Sequence, residues 1–217
     1  MIFGTALAIE KGMKHLIIRL LAVTTLIAAV GCADKATPAP EDSCYFLQNV
    51  YGQRISWAEA PIKIYADGNM SNEHVDSLKE AISIWNEALK ARRGGANIFS
   101  YMDKLADQRG LAEDGLNVVT ILSTWPGIKS TDQAITVRHW IGETTKMVEA
   151  DIALNSVKPF SEASTVEKSE IDTVALLVHE LGHVLGLDHI ETEDYTVMAT
   201  HLVRGNDERR KPGAIEL

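Results

Sequence analysis

The stretch HELGHVLGLDH, residues 179–189, holds three histidines, one glutamate and two glycines in eleven positions. On a helix, His179 and His183 lie four apart and project from one face, one turn above the other. Two imidazoles so placed can hold one zinc ion. Glu180, next to the first of them, sits where its carboxylate can reach a water on the open side of the metal. The next helical turn cannot supply a third ligand without a change in the angle of approach. Gly186 follows His183 by three residues, and His189 follows Gly186 by three. Glycine adopts positive φ, so the chain can leave the helix sharply and bring His189 round to the same ion. Every fixed position of H-E-x-x-H-x-x-G-x-x-H is filled.

The segments upstream supply a scaffold for that helix. PIKIYAD, 61–67, alternates Ile62 and Ile64 with Lys63 and Tyr65 and reads as a strand. Ser71 then precedes a helical pattern in which Val75, Leu78, Ile82, Trp85 and Leu89 recur every three or four residues, up to Gly94-Gly95. Trp85 at that spacing is a core residue. Four further strands are expected at 97–102, 116–122, 134–140 (AITVRHW) and 147–155 (MVEADIALN). In AITVRHW, Ile135, Val137 and His139 face one side and Thr136, Arg138 and Trp140 the other. The linkers GIKSTD and GETTK suit turns. A second long helix is expected over Glu170–Leu187, entered through SEASTVEKSE. The order of strand, helix, four strands and helix predicts an α+β fold: a mixed, twisted, five-stranded sheet with two long helices packed on it.

The zinc motif resembles that of the metzincin metalloproteases, and GLDH within it is most similar to the matrixin branch. The resemblance runs from about Pro61 to Met198 and includes IKIY, the helix around Ile84-Trp85-Asn86, and ADIALN. It implies a metzincin-like catalytic domain with one catalytic Zn2+ held by His179, His183 and His189, and Glu180 as general base. It also implies a Met-turn at Met198, followed by a short C-terminal part. The activity implied is that of a zinc-dependent endopeptidase acting on protein or peptide substrates. AITVRHW corresponds to the edge strand along the cleft, where an extended substrate would pair its backbone as an added strand. The chain departs from the family at several points. Ile190 stands where matrixins usually carry Ser, and Thr200 stands where astacins and serralysins place a tyrosine ligand, so no tyrosine ligand is assigned. No prodomain with a cysteine switch is recognisable, and Cys44 is read as an unpaired or disulfide cysteine. Calcium is not indicated, because His74, His139 and His201 lack the spacing of the structural metal motifs and read as surface residues.

At the N-terminus, MKHLIIRLLAVTTLIAAVGC has a basic start (Lys14, Arg19), an apolar stretch from Leu20 to Val30 and then Gly31-Cys32. This is a secretory signal in form, and too short for a comfortable membrane span. The small residues before Cys32 resemble a bacterial lipoprotein cleavage box, which implies lipidation at Cys32. Met13 already opens a complete signal and is the suspected start. The expected organisation is a signal peptide over 1–31, a lipid-anchored tether over 32–44 and a catalytic domain over 45–217. The expected location is the bacterial cell envelope, with the outer membrane favoured, or the exterior if the signal is cleaved without lipid. In that second case Cys32 and Cys44 could pair.

Composition narrows the functional classes. The chain has 217 residues, 46% hydrophobic and 24% charged, as one ordinary globular domain would. Removing 1–31 takes away Lys11, Lys14, Arg19 and Glu10, so 21 basic and 30 acidic residues become 18 and 29. A net charge near −11 without a basic cluster is a poor match for nucleic acid. No internal repeat is visible; the sequence leaves the oligomeric state open, with a monomer as the default. The rival reading is a surface-anchored binding module that keeps zinc for stability. Glu180 argues against it, since a structural site has no use for a base and normally fills its fourth position with protein.

Overall fold

The computed structural model describes residues 46–125, 131–161, 166–167, 169–190, 196–200, 205 and 210–213. The chain divides into two units, Met1–Ala39 and Pro40–Leu217, and every described residue lies in the second. The expected signal segment, Cys32, Cys44, Tyr195 and His201 fall outside the described residues.

All five expected strands form: β2 (Ile62–Ala66), β3 (Phe99–Lys104), β4 (Asn117–Leu122), β5 (Ala134–Trp140) and β6 (Lys146–Asn155). The sheet is nevertheless six-stranded rather than five-stranded, because Ser56–Trp57 adds a short β1 in the order β1-β6-β4-β2-β3, with β5 also on β6. Two residues are too few for alternation to reveal a strand. Each pairing on the main path is parallel, whereas β5 runs antiparallel to β6 from Ala134↔Leu154 to Trp140↔Met147. Ile152 pairs with Val119 on one side and Thr136 on the other, so β4 and β5 occupy opposite edges of β6. Among the described residues β5 has no strand on its outer side, which makes it the edge strand.

Both helices form, each shorter than its expected span. Helix α1 (Asn72–Leu89) starts where Ser71 Oγ accepts from His74 N–H at 3.1 Å. It buries Val75, Leu78, Ala81, Ile82 and Trp85, the spacing of a single stripe. It ends five residues before the glycines, and Gly94 and Gly95, both at positive φ, belong to the turn that follows. Helix α2 spans Thr173–Val184 rather than 170–187. Its first turn is fixed by Asp172, whose carboxylate accepts from Val174 and Ala175 N–H at 2.9 and 3.1 Å. Ile171–Asp172 forms β8, paired in parallel with β7 (Phe160–Ser161).

The two helices pack on one face of the sheet. Trp85 is fully buried, as its position in the stripe predicts, and its indole N–H donates to Val178 O at 2.8 Å, joining α1 to α2. Every residue of α2 except His183 is buried. The helix that carries the motif is therefore the centre of the core, and its position is set by packing on all sides.

Candidate metal centre

Helix α2 brings His179 and His183 to one face, and its exit brings in His189. Gly186 has φ +88°, and a Cβ there would lie 3.0 Å from Ile55 O, so both backbone conformation and space require glycine. The N-terminal segment braces this exit. Leu47 N–H donates to Gly186 O at 2.8 Å, and the Trp57 indole N–H donates to Val184 O at 2.7 Å. Carbonyls left open at the end of a helix are thus satisfied.

The ring nitrogens converge. His189 Nε2 lies 3.2 Å from His179 Nε2 and 3.2 Å from His183 Nε2. His179 Nδ1 donates to Val197 O at 2.6 Å and His183 Nδ1 donates to Leu187 O at 2.8 Å. Those bonds select the tautomer in which Nε2 carries a lone pair. Lone pairs facing one another at that distance repel unless a cation lies between them. Three nitrogens about 2.0–2.1 Å from a tetrahedral zinc stand roughly 3.3 Å apart, which fits the observed separations. The three histidines could therefore hold a metal ion. Burial pushes the His183 pKa well below its usual value, and the neighbouring His179 adds to this, so the ring stays neutral as a ligand must.

Glu180 is 4% exposed. Its Oε2 accepts from the Thr136 hydroxyl at 2.5 Å, and burial raises its pKa to about 7 against the lowering effect of that bond. Its carboxylate is not one of the convergent atoms, which distinguishes it from a ligand. Met198 is fully buried beneath α2, and Val197, the residue before it, supplies the carbonyl that holds His179. Ile190 N–H donates to Met198 O at 2.9 Å, tying the segment after the third histidine to this turn. Ile190 itself joins the core at 3% exposure, so an apolar side chain suits the position where matrixins usually have Ser. Thr200 is exposed.

The expectation that His74 and His139 are surface residues needs correction, since both are half-buried. His74 Nδ1 lies 2.7 Å from Ser71 Oγ, and His139 Nδ1 lies 3.7 Å from Glu113. Neither joins the histidine group. The motif alone did not reveal Thr136 and Arg138, which reach Glu180, Leu187 and Asp188 across 44 to 50 residues of sequence. The available signal was the polar side of AITVRHW, a strand already placed along the cleft.

Residues 125–211 match the Matrixin family. The matched part contains β5, β6, α2, all three histidines and Met198. Together with the three-histidine group, this match supports a metallopeptidase of the metzincin type. No curated protein matches the chain. Among solved structures, metalloproteinase-II from Bacteroides fragilis is similar at 14% identity and a TM-score of 0.41, over 74% of this chain and 52% of that one. The chain thus spans about half the length of that protein.

Proposed function

We propose that the chain is a zinc-dependent endopeptidase in which His179, His183 and His189 hold one zinc and Glu180 is the general base. The observation that carries this reading is the convergence of three lone-pair nitrogens beside a buried carboxylate that is not itself a ligand. When bound, zinc would supply Lewis acidity towards the scissile carbonyl and a more acidic water. The chain supplies the rest. Glu180, buried next to His179 and outside the ligand group, is placed to take a proton from the attacking water and return it to the leaving amine. Water is the nucleophile, so no acyl-enzyme forms. The outer edge of β5, which has no strand beside it among the described residues, offers backbone donors and acceptors to an extended peptide, which supports peptide bonds as the substrate.

The test is digestion of a broad peptide library by the zinc-loaded chain from residue 33 onward, beside Glu180→Ala prepared identically. Cuts made only by the wild type and abolished by a chelator are expected. Stoichiometric zinc with no cleavage would instead favour the binding-module reading. We further infer anchoring in the bacterial cell envelope through lipid on Cys32, supported by the apolar run that ends at Gly31-Cys32. Palmitate labelling should vanish in Cys32→Ala, and an unlabelled wild type would refute it.

A further inference from the structure

We propose that β5 is a positioning strand, which aims the Glu180 carboxylate through Thr136 and fixes the loop presenting His189 through Arg138. The Thr136 half rests on the peptidase reading above, whereas the Arg138 half concerns metal binding alone.

Thr136 and Arg138 stand two apart on the side of β5 that faces α2, and seven cross-strand pairs to β6 hold the strand in register. The Thr136 hydroxyl donates to Glu180 Oε2 at 2.5 Å and lies 3.3 Å from the Glu180 carbonyl oxygen. A β-branched side chain on a paired strand has little rotational freedom, so this hydroxyl is a fixed donor. Glu180 is almost fully buried, and a carboxylate in that setting is oriented by whatever donor it finds. The strand thus decides where the carboxylate points.

Arg138 acts on the other side of the site. Its Nη2 donates to Asp188 at 2.9 Å, and its Nη1 donates to Leu187 O at 3.3 Å. Leu187 O also accepts from His183 Nδ1, so one carbonyl is held by both a ligand histidine and the edge strand. Asp188 immediately precedes His189, the most exposed of the three histidines. The chain reaches this point through Gly186 at positive φ, and between the buried Leu187 and Ile190 the more exposed pair Asp188-His189 is positioned from outside by Arg138. The Arg138 and Asp188 side chains remain 19% and 40% exposed, so the pair adds little to global stability. Its effect falls on the placement of the third ligand, as supporting hydrogen bonds do in metal sites generally.

Two variant series test the proposal, with circular dichroism and the melting temperature of the metal-free protein checking that each variant folds. Zinc affinity is read by competition with a chromophoric chelator. Arg138→Gln should weaken zinc roughly tenfold to a hundredfold, and Arg138→Lys, which cannot hold both oxygens, should lie between it and the wild type. Wild-type affinity in a folded Arg138→Gln variant would overturn this half, whether or not the protein cleaves peptides. Thr136→Val should leave zinc affinity and KM within about twofold while kcat falls roughly tenfold to a hundredfold, the scale set by slight misplacement of a reacting group. Thr136→Ser keeps the hydroxyl and should recover most of kcat. An unchanged kcat in Thr136→Val, or a folded Thr136→Ser no better than Val, would overturn the positioning of Glu180. If the wild type binds zinc but cuts no peptide, the Thr136 half falls with the peptidase reading, and zinc affinity alone decides the Arg138 half.

Discussion

Gly182 and Met198 fit one into the other: a Cβ on Gly182 would overlap the Met198 sulfur and come within 3.3 Å of the Trp85 ring. A glycine in the middle of a helix normally costs about 1 kcal/mol relative to alanine. Here the missing methyl makes room for the buried methionine, between two histidines that must keep their geometry. Gly182→Ala should therefore lose about 1–3 kcal/mol in urea unfolding despite its better helix propensity, because overpacking outweighs propensity. The Gly182→Ala/Met198→Ala double variant should lose less than the sum of the two single losses. Equal or greater stability of Gly182→Ala alone would mean that Met198 moves aside freely.

Trp57 braces the far end of the same helix by donating to Val184 O at 2.7 Å. Phenylalanine fills most of the same volume but lacks the donor, and leaves a carbonyl at the helix end without it. Trp57→Phe should cost about 1–3 kcal/mol by denaturant titration, the range for an orphaned buried polar group. An unchanged midpoint would show that water replaces the indole without loss.

Metal binding should itself stabilise the fold, since the three nitrogens converge only in the native structure. At free zinc about a thousandfold above Kd, mass action contributes about 4 kcal/mol, so removing zinc with a chelator should lower Tm by several degrees. His179→Ala should melt at the same temperature with and without zinc. A zinc-dependent Tm in that variant would place the binding elsewhere.

How far the sequence discloses these relationships depends on their range. The zinc motif is local, since periodicity, a glycine and three histidines specify the centre within eleven residues. The long strands and the stripe of α1 are equally visible, because burial of one face imposes a period on every residue. The strands β1, β7 and β8 carry no such period at two residues each. The early start assigned to α2 has a different cause. Apolar composition runs on through Ile171, but Asp172 is fully engaged as the cap, and an Asp just before an apolar run is a start signal that could have been read. Thr136, Arg138 and Trp57 act through one or two hydrogen bonds to distant backbone or side-chain groups, and no local pattern encodes those partners.

Asp151 provides the pH prediction. It lies on β6 on the face away from the helices, fully buried, with Oδ1 accepting from Val118 N–H at 2.8 Å and Oδ2 without a hydrogen-bond partner among the described residues. Burial is the largest cause raising its pKa to about 7. Glu149 on the same strand, Asp114 in the loop above and Asp67 after β2 add to the rise, and the Val118 bond opposes it. His139 lies cross-strand from Glu149, and Arg109 pairs with Asp114 at 3.3 Å, so basic groups also flank these acids. The unfolded chain releases this proton near pH 4, while the folded protein keeps it until about 7. Between those values the native state binds more protons, so this group's contribution to stability falls as pH rises and levels off above 7. Three units correspond to about 4 kcal/mol at most, at about 1.36 kcal/mol each. Asp151→Asn keeps an acceptor for Val118 and removes the charge. Its stability relative to wild type should therefore increase from pH 5 to pH 8, measured by urea unfolding of both proteins at matched zinc. A difference that stays flat across that range, or grows in the opposite direction, would mean that Asp151 is already ionised in the folded protein at pH 5.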